Sequence, residues 1–154
     1  MLTKQGVFTL SKLVGIAIKT KKREPMLTMD SAQVTKAQGV ENDFRGKPGK
    51  RQVTVLSNEA WLQVCNELNK DINWLTRRAN LLVDGIDLRE STGKVIKIGD
   101  VSLLITGETD PCARMSEVMP GLFESLLRNW RGGVCCRVIS EGKISITDEV
   151  ELVE

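Results

Sequence analysis

Four cysteines and no histidine define the chemistry open to this 154-residue chain. The absence of histidine excludes a Ser-His-Asp triad, a Cys-His nucleophile pair and any histidine-ligated metal supplied by the chain itself. Proton transfer must fall to Asp, Glu, Lys, Arg, Cys or water. Among the thiols, Cys112 has the most suggestive setting. In Leu103-Leu-Ile-Thr-Gly-Glu-Thr-Asp-Pro-Cys-Ala-Arg-Met115, an apolar strand ends at Thr106 and turn residues follow, with a helix predicted from near Arg114. A thiol just ahead of a helix feels the positive end of its dipole, and Arg114 adds a full charge. Both favour the thiolate, which is the form that attacks and that ligates metals. Glu108 and Asp110 oppose them. The plainer alternative is a structural cysteine, partly buried at a turn.

The other thiols read differently. Cys65 falls in the apolar stripe of a predicted helix and is expected in a core. Cys135 and Cys136 are adjacent on a predicted strand, so their side chains point to opposite faces; one is expected in the core and one against the opposite face. No cysteine spacing suggests a zinc site or a disulfide scaffold. Two basic segments complete the candidates. Arg45-Gly-Lys-Pro-Gly-Lys-Arg51 could hold a phosphate through backbone N–H groups and cations, although its glycine spacing is not that of a Walker A loop. Arg77-Arg78-Ala-Asn80 could face an anionic ligand. For both, a solvated surface stretch is an equal alternative.

The elements that must position these residues are mostly strands. Leu13–Ile18 alternates, with Val14, Ile16 and Ile18 expected on one face. Short strands are predicted at 26–29, 51–56, 81–83, 95–98, 101–106, 134–140, 143–147 and 149–153. Gly39 to Lys50 is rich in turn residues and reads as a loop. Ser57 is placed to cap a helix whose stripe is Trp61, Val64, Cys65 and Leu68. Asp71 is a candidate cap for a second short helix. Near 115–119 a helical turn begins, and Pro120 opens a further helix with Leu122, Phe123, Leu126, Leu127 and Trp130 on its apolar face, ended by Gly132-Gly133. Ile96-Lys-Ile-Gly-Asp100 is echoed by Ile144-Ser-Ile-Thr-Asp148. Many short strands with glycine turns and small helical inserts suggest a β-barrel or sandwich, in one domain over 1–154 with no linker.

Composition narrows the class further. A net charge of +2 does not by itself imply a polyanion partner. Three Trp, three Phe and no Tyr leave few stacking platforms, so nucleic-acid binding is not expected. No apolar run approaches the roughly 20 residues of a membrane span. Met1-Leu-Thr-Lys-Gln-Gly6 lacks the charged and apolar regions of a secretory signal, so a cytoplasmic protein with reduced thiols is expected.

Taken in order, these segments resemble the MOSC family, the domain named for the C-terminal part of molybdenum-cofactor sulfurase. The resemblance rests on Gly39 with Asp43, Arg51-Gln-Val-Thr54, Glu59, Arg78-Ala-Asn-Leu-Leu-Val-Asp-Gly-Ile-Asp87, Ile98-Gly-Asp100, Thr106-Gly-Glu-Thr-Asp-Pro-Cys-Ala-Arg-Met115, Gly132-Gly133 and Gly142-Lys-Ile144 with Asp148-Glu-Val150. It spans about Leu13 to Leu152, and the Thr-Gly-Glu-Thr-Asp-Pro-Cys segment is its most specific piece. It implies a closed, strongly bent β-barrel with a few short helices, and a pocket for the pyranopterin molybdenum cofactor or for sulfur destined for a metal. It implies that Cys112 carries a persulfide or ligates molybdenum, a role suited to a soft thiolate. Arg51, Arg78, Asn80 and Arg114, with Thr106 and Glu108 in the matched segment, are the implied cofactor contacts. The implied partners are a pyridoxal-phosphate cysteine desulfurase or an electron donor, because the chain resembles neither the N-terminal barrel nor the iron–sulfur module of reductase-type relatives. Two positions depart from the pattern: Phe44 stands where many relatives carry His or Lys, and Thr147-Asp148 stands for a Gly-Asp. The rival class is a non-enzymatic β-barrel module that binds an anionic partner through Lys19–Arg23 and Arg45–Arg51.

Overall fold

A computed structural model describes residues 11–154; the expectation of no secretory signal at Met1–Gly6 lies outside them. Among the described residues eleven strands run in the order β1 (Lys12–Ile18), β2 (Leu27–Thr28), β3 (Ser31–Thr35), β4 (Gly39–Val40), β5 (Val53–Ser57), β6 (Leu81–Asp84), β7 (Val95–Ile98), β8 (Val101–Glu108), β9 (Val134–Ser140), β10 (Gly142–Ser145) and β11 (Val150–Val153). Helix α1 (Asn58–Leu68) and a 3₁₀ turn at Trp74–Arg77 lie between β5 and β6, and the short helices α2 (Met115–Val118) and α3 (Leu122–Leu126) lie between β8 and β9. None of these helices is long and apolar enough to cross a membrane.

The expected closed barrel is not formed. Eight strands make one open sheet in the order β11-β7-β8-β9-β5-β6-β1-β2, and β10, β3 and β4 make a separate sheet. β1 approaches the far edge only through a lone bridge between Lys12 and Glu149, supported by backbone bonds from Leu13 N to Asp148 O (2.9 Å), Thr147 N to Leu13 O (2.8 Å) and Val150 N to Ser11 O (2.9 Å). All strand pairs are antiparallel except β5 with β6, which are parallel and joined through α1, as a crossover connection requires.

Two apolar clusters flank this sheet. The first fills the space between the strands, with Leu13, Ile16, Val55, Leu81, Leu103 and Cys136 among its members. The second lies on the outer side, where Leu56, Ala79 and Leu82 meet Trp61, Val64 and Cys65 of α1 and Met115, Leu122 and Leu126 of α2 and α3. A register shift between Leu13 and Gly15 splits β1 between them. Leu13, Ile16 and Ile18 therefore share the inner cluster, while Val14 turns to the outer one, correcting the simple alternation of Val14 with Ile16 and Ile18. At Gly15 a Cβ would stand 2.7 Å from Cζ2 of Trp74. The missing side chain lets the 3₁₀ turn lie on β1, and this places Arg77 and Arg78.

The helix ends also refine the sequence reading. Ser57 caps α1 by accepting from Ala60 N, as expected. The 3₁₀ turn is capped by Asn73, whose side chain accepts from Leu75 N, rather than by Asp71. Helix α3 stops at Leu126, short of Trp130, and Asn129 and Trp130 adopt left-handed backbone (φ 51° and 59°).

Candidate functional site

The segment after β8 carries Cys112. Glu108 is the last residue paired to β9, opposite Val134, and Gly107 pairs with Cys135. Thr109 N then donates to Gly133 O (3.0 Å), so the chain stays alongside β9 for one more residue. Beyond it Pro111 and Cys112 form a turn in which the Cys112 carbonyl accepts from Met115 N (2.9 Å). Cys112 is exposed, whereas Cys65, Cys135 and Cys136 are buried. The helix that follows is one turn long and has no side-chain cap. Few aligned peptides contribute to its dipole, so the electrostatics at Cys112 must come from side chains.

Arg77 supplies the closest built contact to this turn. Its Nη2 donates to Thr109 Oγ1 (2.7 Å) and its Nε to Gly132 O (3.1 Å), while Thr109 Oγ1 itself bonds Gly132 O (2.6 Å). Burial lowers the pKa of Arg77; the Cys135 and Cys112 sulfurs raise it, and Arg45 and Arg78 lower it further. The guanidinium thus lies within electrostatic reach of both thiols. No described carboxylate pairs with it. Lys19, 9% exposed, is likewise without an ion pair among the described residues; burial first, then Arg78 and Arg45, lowers its pKa. Arg45 Nη2 donates to Arg78 O (3.0 Å), and its Cζ lies 6.0 Å from the Phe44 ring centroid. Lys19, Arg45, Arg77 and Arg78 therefore form a group of cations that repel one another and make no ion pair among the described residues.

The sequence-nominated residues divide between this face and the framework. Arg78 is exposed with left-handed backbone (φ 64°), closing the 3₁₀ turn through its N–H to Leu75 O. Arg51 is exposed and pairs with Asp110 (3.3 Å), so part of its charge is already answered. Arg114 is exposed at the start of α2. Glu108 sits above the usual carboxylate range, first through partial desolvation and then through Asp110. Thr106 bonds the carbonyls of Lys50 and Cys135, tying β8 to its neighbours.

Asn80 is 2% exposed and its side chain is fully used by the protein. Its Oδ1 accepts from Thr54 N (3.0 Å), and its Nδ2 donates to Ala17 O (3.1 Å) and Asp43 Oδ2 (3.3 Å). Asp43 in turn accepts from Lys19 N (3.0 Å). Asn80 holds the strands under the cations and has no donor left for a ligand.

The sequence places Lys19 only in the basic stretch Lys19–Arg23 and gives Cys135 no chemical role. Lys19 reads as an exposed strand end, and only the Phe44 N–H bond to its carbonyl (2.9 Å) and the Asp43 contact show that the 43–45 loop folds over it. Cys136 lies in the inner cluster, as expected of one member of the pair. Cys135 faces the outer side, where burial pushes its pKa up while Arg51 and Arg77 pull it back. Gly107, its ladder partner, has open space where a Cβ would stand.

A cleft of about 470 Å³ lies elsewhere, lined by Ser57, Glu59, Asp87, Arg89, Trp130 and Arg131 among others. It adjoins the ends of β5 and β6 opposite to those near Arg51 and Asn80, and it touches neither thiol. No cluster of three or more Cys, Asp or Glu able to hold a metal occurs among the described residues.

Several solved structures share the fold. The YUAD protein from Bacillus subtilis superposes with a TM-score of 0.79 at 23% identity, covering 94% of this chain and 96% of that one. YiiM from Geobacillus stearothermophilus gives 0.69 at 16% identity, covering 94% and 75%. YiiM from Escherichia coli gives 0.69 at 18%, covering 93% and 70%. No curated protein matches the chain. The MOSC domain model matches residues 30–151, a span holding Cys112 and all the cations above except Lys19, and the chain belongs to the MOSC domain family.

Proposed function

We propose that this MOSC domain binds the molybdenum cofactor or carries sulfur for a metal centre, with Cys112 as the working atom. One observation carries the reading: an exposed thiol on a turn held beside cations that no described carboxylate neutralises. A pyranopterin cofactor is anionic through its phosphate, and four cations that make no ion pair among the described residues fit such a group. Lys19, Arg45, Arg77 and Arg78 would hold it, with Arg51 and Arg114 near the thiol-bearing segment, and the Cys112 thiolate would offer a soft donor. When bound, the cofactor supplies a metal able to exchange oxygen atoms and electrons.

In the carrier mode, the Cys112 thiolate attacks the terminal sulfur of a persulfide on a pyridoxal-phosphate cysteine desulfurase. The new S–S bond leaves the sulfur on Cys112, and the donor departs as its thiolate. In the ligand mode, a separate redox protein supplies electrons. Either partner, and the cytoplasmic setting in which a free exposed thiol stays reduced, belongs to the proposal.

The test is to purify the protein from a molybdenum-replete host and assay molybdenum and cyanide-labile sulfur, in wild type and Cys112→Ser. One of the two is expected near stoichiometry in wild type and absent from the variant. Unfolding stability is expected to stay within about 0.5 kcal/mol, because the side chain is exposed. Wild-type protein carrying neither species, or a variant that retains its load, sinks the reading.

A further inference from the structure

Arg77 has two sets of contacts that the proposed chemistry leaves unexplained. The first is mechanical. The guanidinium bonds both Thr109, three residues before Cys112, and Gly132, at the foot of β9, and Thr109 bonds Gly132 as well. These three groups close a small ring that fixes the start of the Cys112 turn against β9. The approach is tight: a Cβ on Gly132 would stand 3.0 Å from Thr109 Oγ1, 3.2 Å from Pro111 Cγ and 3.6 Å from Arg77 Nη2. The second is electrical. Among the described residues every acceptor of Arg77 is a carbonyl or a hydroxyl, so the ring anchors the cation without cancelling its charge. Arg51, by contrast, spends its charge on Asp110.

We infer that Arg77 is a positioning and specificity-determining residue: its clasp with Thr109 and Gly132 sets the Cys112 turn, and its unneutralised charge selects anionic reactants at the Cys112 sulfur. The inference rests on Cys112 being the working atom of the site but not on what that atom carries. An anionic reactant is drawn toward the sulfur and a neutral one is not, so the preference is a property of the turn before any cofactor arrives.

Two alkylating reagents read this directly. Iodoacetate is anionic and iodoacetamide neutral, and both attack the same thiolate, so at one pH the fraction ionised cancels from their rate ratio. The ratio is measured at Cys112 by peptide mass spectrometry at low salt. Relative to a free cysteine peptide, wild type is expected to favour iodoacetate. Arg77→Gln is expected to lower the ratio by about threefold toward the peptide value, and Arg77→Lys to retain most of it. Hydrogen exchange at the Thr109 amide reports the clasp. It is expected to speed up in Arg77→Gln, Arg77→Lys and Gly132→Ala, since each breaks or wedges the ring.

An unchanged ratio in Arg77→Gln overturns the selectivity. Unchanged Thr109 exchange in all three variants overturns the clasp. If Arg77→Gln fails to fold, Arg77→Lys and Gly132→Ala still decide the clasp, and loss of the wild-type ratio at about 0.5 M salt, where the Debye length is only a few ångströms, decides the charge. Neither readout depends on molybdenum or bound sulfur, so the proposed function can fail while this inference stands.

Discussion

Cys135 and Cys136 are neighbours in sequence and opposites in surroundings. Cys136 is fully enclosed in the inner cluster, and burial, then the adjacent Cys135, raises its pKa far above the ordinary thiol value. The folded state holds that proton at pH values where the unfolded chain releases it. The resulting stability is fully present below about pH 8.5, the unfolded thiol value, and is lost as the pH rises above it. Cys135 contributes with the same sign, since its pKa is also raised. We expect urea-unfolding free energy to fall between pH 8.5 and 10, with Cys136 adding up to about 1.4 kcal/mol per pH unit to the slope. Cys136→Ala should make that slope shallower; equal slopes in the two proteins would refute the assignment. Alternation alone put one of the pair inside. Which one, and the arginines that the other meets, depend on the β8–β9 register.

At the scale of elements, the strands with strong apolar alternation were legible, and the weakly patterned ones were not. β6 to β9 carry runs of Val, Ile and Leu and lie where those runs predict. β3 holds Ser31, Gln33 and Thr35 facing out with Val34 as its one fully buried residue, so nothing in its sequence announces a strand. Its pairing with β10 makes it one. The repeated Ile-x-Ile-x-Asp pattern covers two different turns: Gly99 (φ 58°) is the first of the two residues between the paired Ile98 and Val101, whereas Thr147 (φ 79°) is the second central residue of a turn closed by Asp148 N on Ser145 O (3.0 Å). The departure from Gly-Asp at Thr147 therefore puts a β-branched residue in left-handed backbone, a costly conformation. Thr147→Gly should stabilise the protein by about 1 kcal/mol, net of the flexibility glycine gives the unfolded chain, while keeping the 147 N–H bond to Leu13 O. A lower urea midpoint in the variant would show that the strain is offset elsewhere. The cation group was only half legible for a related reason. Arg45, Arg77 and Arg78 stand in visibly basic stretches, but Lys19 joins them through a loop 24 residues away, and no local pattern encodes that meeting.

Across the whole molecule, the sheet's open edges matter most. The resemblance suggested closure, and the sequence has strands enough for it, but β1 and the segment ahead of β11 meet only through a bridge at Lys12 and Glu149 with a few flanking backbone bonds. β11 covers β7 along four residue pairs and brings Val150, 2% exposed, over the inner cluster. Ending the chain at Asp148 should therefore lower unfolding stability by at least about 2 kcal/mol. It should also leave β7 as a bare edge that self-associates, which gel filtration would detect. A monomer with wild-type stability would mean that β11 is only appended.

The bridge between Lys12 and Glu149 also has a bearing on biosynthesis. β1, the first strand among the described residues, pairs with β2 at residues 27–28 and with β6 at residues 81–84, and meets residues 147–150 far along the chain. During synthesis Leu13–Ile18 can pair with β2 and β6 early, but its contacts with residues 147–150 form only after that segment has left the exit tunnel. The domain therefore completes its native structure late in its own synthesis, once residues 147–150 are free to pair.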